Sequence, residues 1–113
     1  MTVINVLAFD AERLHDDRVW KRVEKFAAWM AHRNARATFF VYPFRALAVN
    51  EDIAARVQAL VNMGHEIGQH THFYAGMKID KPDKITDLSE ANILRCIRRD
   101  YDVLTGMGIS PKG

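Results

Sequence analysis

The chain has 113 residues, 49% hydrophobic and 27% charged, with a formal net charge of +2. That is enough for one domain with a real core, and too little charge of either sign to point to a nucleic-acid binder. No run nears the roughly 20 apolar residues of a membrane span, and the opening "MTVINVLAFDAE" lacks a basic leader and a small-residue cleavage site, so the expectation is no membrane segment and a cytoplasmic location.

Val3 to Phe9 is apolar and β-rich, as expected of a first strand buried on both faces. Asp16 and Asp17 can cap the following helix, where Val19, Trp20, Val23, Phe26, Ala27 and Met30 recur at helical spacing as one apolar stripe. "RNAR" breaks that stripe, and Ala37 to Tyr42 reads as a second strand, ended by Pro43. Asn50 caps a second helix with Ile53, Val57, Leu60 and Val61 inward, and Gly64 suits its left-handed stop. His65 to His70 follows as a short third strand.

A polar loop of Lys, Asp and Pro runs to Asp87. Asp87 or Ser89 then caps a third helix, with Ile93, Leu94, Ile97, Tyr101 and Leu104 expected inward and Gly106 at its end. Cys96 falls within that helix, so it reads as a small core residue rather than a nucleophile, and a lone cysteine excludes an internal disulfide. The basic clusters Arg95, Arg98, Arg99 and Lys78, Lys81, Lys84 lack interleaved aromatics and read as solvated faces, so nucleic acid is not expected as a partner. The last residues, "GISPKG", look like the approach to a fourth strand.

Strands alternating with helices imply an α/β fold with a parallel sheet. Two architectures fit: a small doubly wound sandwich, or about three (β/α) units of a barrel. A dinucleotide fold is disfavoured because the first strand leads into "DAERLHDD", with no glycine to admit a phosphate.

In parallel α/β folds, functional residues collect at the carboxyl ends of strands. The first strand ends in "FDAE", giving Asp10 and Glu12; the third ends in "QHTH", giving His70 and His72. In extended backbone, residues at i and i+2 point to one side, so two carboxylates and two imidazoles can converge. That donor set suits Zn²⁺, or Co²⁺, Ni²⁺, Mn²⁺ or Fe²⁺, and a spare carboxylate can act as general base. The competing reading leaves the acids in a solvated loop and the histidines packed locally. His65 and Glu66, at the opposite end of the strand, read as fold residues; His15 stands near the acids, and His32 near a helix end. Tyr42, Phe44 and Arg45 either line a substrate cleft or form an ordinary packed loop.

"FDAE", "ATFFV" and, one helix later, "GHEIGQHTH" together resemble the polysaccharide deacetylase family, the NodB homology domain of carbohydrate esterases, over essentially the whole chain. The resemblance implies a distorted (β/α) barrel, of which these residues match the N-terminal half, a divalent metal that is commonly zinc, and removal of acetyl groups from sugars or cleavage of related C–N bonds. The family's first motif is Thr-Phe-Asp-Asp-Gly, a catalytic base followed by a metal ligand. Phe9 and Asp10 match it, but Ala11 stands at the ligand position and Glu12 at the glycine. The second motif is His-Ser/Thr-x-x-His; His70 and Thr71 match, and Tyr74 stands at the second histidine. Glu12 and His72 lie close to the lost ligands, as in branches carrying Asp-x-Glu and His-x-His.

The resemblance therefore implies Asp10 as catalytic base or ligand, Glu12, His70 and His72 as metal ligands, and Tyr42, Arg45 and Tyr74 facing a sugar-like small-molecule or polysaccharide substrate. The third motif, Phe-Arg-x-Pro, would follow "GISPKG" beyond Gly113. The expectation is thus a partial barrel, a fragment or a natural truncation, that covers its open faces as a homo-oligomer. Impaired hydrolysis is expected, with an inactive binding or assembly module as the alternative.

Overall fold

The computed structural model of the chain describes residues 6–43, 51–73 and 88–112, with the side chains of Glu51 and Asp52 left out. Three strands, β1 (Ala8–Ala11), β2 (Thr38–Val41) and β3 (Glu66–Gln69), form one parallel sheet in the order β1-β2-β3. The helices are α1 (Asp17–Ala31), α2 (Glu51–Asn62) and α3 (Glu90–Gly106). Strands in sequential order with a helix after each are the units expected of a barrel wall. After α3 the chain returns to the sheet, where Lys112 N–H donates to the Ile67 carbonyl (2.8 Å), so the approach to a fourth position beside β3 is present. Among the described residues no helix is long and apolar enough to cross a membrane.

The first strand lies later than the sequence suggests: Val6 and Leu7 precede it, whereas Asp10 and Ala11 belong to it, and Val3 to Asn5 fall outside the described residues. Register aligns Phe9 with Phe39 and Ile67, and Ala11 with Val41 and Gln69. Alternation across the pleat therefore gives one face to Phe9, Ala11, Phe39, Val41 and Ile67, all in or against the core cluster with Met30, Val57, Leu60 and Leu104. The other face carries Asp10, Phe40 and Gly68. The Phe40 ring lies over Gly68 so closely that a Cβ there would meet it at 2.5 Å, and would sit 3.1 Å from the Lys112 carbonyl oxygen. Only glycine fits beneath that ring.

Asp16 caps α1, its carboxylate accepting from Arg18 N–H (2.9 Å) and Val19 N–H (3.4 Å). Ser89 caps α3 by accepting from Asn92 N–H (3.2 Å); Asn50 and Asp87, the other expected caps, lie outside the described residues. Gly64 takes φ +94°, the left-handed stop expected after α2.

Two helices are turned differently from their apolar patterns. On α1, Ala27 and Met30 are buried, but Phe26 lies at the rim with an edge-on contact to Phe9 (5.3 Å), and remains 42% exposed. On α3 the buried residues are Cys96, Asp100, Val103 and Leu104, whereas Leu94, Ile97 and Tyr101 are exposed. The helix period is as expected, but the buried stripe is displaced by about one residue, roughly 100°. Cys96 and Asp100 made that stripe look less apolar than its neighbour. Val61 on α2 also faces outward.

His65 holds the amino end of the sheet to α1. Buried at 4% exposure, its Nδ1 accepts from Ala37 N–H (3.1 Å), which places the ring proton on Nε2, facing the Ala27 carbonyl (2.9 Å). The ring also meets Phe39 edge-on at 5.3 Å.

His65→Ala strands two buried backbone groups and opens a cavity, and should cost about 3 to 5 kcal/mol in urea unfolding. A loss below about 1 kcal/mol would show that these bonds contribute little. The backbone donors at Asp16 hold its carboxyl below the ordinary range, burial opposing them and Arg18 and Arg13 assisting. Its stabilising contribution is therefore complete above the unfolded value of about pH 4 and is lost as pH falls through the depressed folded value. Asp16→Asn, which keeps a capping oxygen, should flatten that acid limb of the urea midpoint against pH.

Candidate metal centre

The carboxyl ends of β1 and β3 bring together three of the four donors expected from the sequence. One donor atom from each of Glu12, His70 and His72 lies within 4.8 Å of the others. Glu12 Oε1 is 2.9 Å from His70 Nε2, and Glu12 Oε2 is 3.6 Å from His72 Nε2. Ligands at bond lengths of about 2.0–2.2 Å around one small cation stand roughly 3–3.6 Å apart. Two imidazoles and a carboxylate at these separations are a donor set that could hold a divalent ion.

Asp10 is the fourth member, at greater distance. Its Oδ1 is 3.5 Å from His70 Nδ1, so carboxylates face both nitrogens of that ring, and its side chain is 66% exposed. The His70 and His72 rings are 5.1 Å apart, and His72 lies against the Tyr42 ring at 4.2 Å. Tyr42 is buried at 8% exposure. Arg45 and Tyr74, the other expected substrate contacts, and Phe44 fall outside the described residues. His32 is exposed on the turn after α1, and His15 lies in the turn between Glu12 and α1.

A family model described as polysaccharide deacetylase matches residues 6–112. The chain belongs to the polysaccharide deacetylase family. Searches of curated proteins and of solved structures returned no match. Membership supports a deacetylase-type hydrolase with a carbohydrate substrate at the level of the family.

Within this polysaccharide deacetylase domain, the altered first motif has a structural reading. Ala11, where the resemblance implies a ligand position, is 4% exposed and part of the hydrophobic core. A side chain there points among Leu14, Val41 and their neighbours, while residues 10 and 12 carry the carboxylates on the site side. Glu12 is thus the carboxylate that meets both histidines, whereas Asp10 faces His70.

Several contacts here were hidden in the sequence. Gln69 donates its amide to Thr71 Oγ1 and to the Ile97 carbonyl, both at 2.8 Å. Arg99, grouped with the solvated Arg95 and Arg98 by sequence, is only 15% exposed; its Nε donates to Asp100 Oδ1 (2.7 Å) and its Nη2 to the His72 carbonyl (3.1 Å). Burial works against the Arg99 charge, but the Asp100 hydrogen bond and its negative charge outweigh it and raise the guanidinium above its ordinary value. Nothing in "RRD" distinguishes the inward arginine, because the helix phase decides it.

Cys96 is fully buried, with its thiol donating to the Phe73 carbonyl. Burial pushes its pKa up; Arg99 and Arg95 pull it down, while Asp100 adds to the rise. It is a packing residue, as its helical setting suggested. Labelling by a disulfide reagent at pH 8 should be at least tenfold slower in the folded protein than in urea; equal rates would contradict this burial.

Proposed function

We propose that this chain is a metal-dependent hydrolase that removes acetyl groups from sugar-like substrates by cleaving a C–N bond. The observation that carries the reading is the convergence of Glu12, His70 and His72 with Asp10 beside them. The residues fit zinc best, with Co²⁺, Ni²⁺, Mn²⁺ and Fe²⁺ as alternatives. When bound, such an ion supplies Lewis-acid polarisation of a carbonyl and lowers the pKa of water.

The chain's own residues supply the rest. Glu12, His70 and His72 would hold the ion, and Asp10 would orient His70 from its far nitrogen. The Asp10 carboxylate, open to solvent, takes the proton from the attacking water as its oxygen bonds to the acetyl carbon. It returns that proton to the nitrogen as the C–N bond breaks, so acetic acid and the free amine form with water as the only co-reactant. Tyr42, beside His72, backs the site rather than reaching far into solvent.

A second reading is an inactive partial barrel that serves as a homo-oligomeric binding module. It is favoured by the apolar surface left on both flanks, Phe26 and Trp29 on α1 and Leu94, Ile97 and Tyr101 on α3.

Hydrolysis of an acetylated chitooligosaccharide should appear on adding Zn²⁺ or Co²⁺ and fall at least about 100-fold in Asp10→Asn. His70→Ala and His72→Ala should lose metal binding in calorimetric titration. Metal binding without turnover would sink the hydrolase reading and leave the second.

A further inference from the structure

β3 ends at Gln69, and the segment that follows has one ladder-like bond, from His70 N–H to the Val41 carbonyl (2.9 Å). Beyond it, residues 71–73 have no regular secondary structure. Backbone without a ladder takes its path from whatever else satisfies its polar groups. Among the described residues, α3 supplies partners for two carbonyls of this segment and receives the side chain of the residue before it. Gln69 reaches the Ile97 carbonyl, Cys96 donates to the Phe73 carbonyl, and Arg99 donates to the His72 carbonyl.

Of these three bonds with α3, the Arg99 bond is the one made to a member of the donor cluster. Its guanidinium is planar and rigid, so one edge fixed by buried Asp100 fixes the direction of the Nη2–H that meets His72. Asp100 itself is 0% exposed, and its Oδ2 has no hydrogen-bond partner among the described residues. A buried carboxylate of that kind is costly unless it has a charged neighbour, and Arg99 is that neighbour. The Tyr42 ring lies against the His72 ring, with centroids 4.2 Å apart.

We propose that Arg99 is the positioning residue of the cluster: through the His72 carbonyl it sets where the His72 ring stands against Glu12. Helix α3, which contributes no donor, thereby fixes the spacing between donors. The consequence for metal affinity rests on the metal-site reading above; the placement of the ring does not. The competing role for Arg99 is charge compensation of Asp100 alone, which would stabilise α3 and leave His72 indifferent.

The test uses the full chain as wild type, Arg99→Gln, Arg99→Lys and the exposed neighbour Arg98→Gln. Co²⁺ titration followed by visible absorption gives the affinity. In the metal-free protein, the nuclear Overhauser effect between the Tyr42 and His72 rings reports the ring position, and the thermal midpoint reports stability. Arg99→Gln should weaken Co²⁺ binding about 10- to 100-fold and diminish the Tyr42–His72 effect, with Arg98→Gln changing neither. Arg99→Lys keeps the charge but not the fork, so it should recover the thermal midpoint more fully than the affinity or the ring contact.

Wild-type affinity within twofold and an unchanged ring contact in Arg99→Gln would overturn the proposal. So would full recovery of ring contact and affinity in Arg99→Lys, which would assign Arg99 to charge alone. Should wild type bind no Co²⁺, the metal reading fails by itself and the ring contact decides for or against positioning. Should Arg99→Gln not fold, the same comparison between wild type and Arg99→Lys decides.

Discussion

The period-two alternation of β1 is the constraint on which the site depends. Phe9 and Ala11 enter the hydrophobic cluster, so Asp10 is turned to the other face and Glu12 follows on the site side. A slip of one residue would drive both carboxylates into the core and carry two apolar groups out. Burial of Ala11 against Leu14 and Val41 is therefore what holds Glu12 beside two imidazoles. The hydrophobic effect thus orients a charged cluster it does not touch.

The sheet has opposite characters at its two ends. At the amino end, His65 satisfies backbone groups beyond its own strand, donating to Ala27 and accepting from Ala37, so both ring nitrogens are committed to the fold. At the carboxyl end, His70 and His72 meet side chains rather than the ladder, and their carboxylate partners are substantially exposed. One strand thus carries histidine at its amino end as a structural crosslink and, just past its carboxyl end, as a group available for chemistry. The difference lies in burial and in partner type.

Much of this was legible in the sequence. The three strands and three helices follow from apolar periodicity and cap residues, and the i, i+2 pairs at strand ends pointed to the donors that meet. The fold phase of α3 was not legible, because its inward stripe contains Cys96 and Asp100 while the more apolar Leu94, Ile97 and Tyr101 face out. Tertiary contact decided there: Asp100 is admitted to the interior with Arg99 beside it, and Arg99 is drawn in by the His72 carbonyl. The second of these pairings joins residues 27 positions apart and leaves no local pattern. The start of β1 was misplaced for a related reason, since Val6 and Leu7 are β-prone but the pairing with β2 begins at Ala8.

The Phe40 ring over Gly68 has an evolutionary consequence. With a Cβ at position 68 coming within 2.5 Å of that ring, the sizes of the two residues form one variable rather than two. Drift at 68 is gated by 40 and by the backbone at Lys112: 68 can enlarge only after Phe40 has shrunk and the Lys112 carbonyl, 3.1 Å from that Cβ, has given way. Cross-strand neighbours coupled in this way change as a pair, and between the two steps lies a sequence less fit than either end.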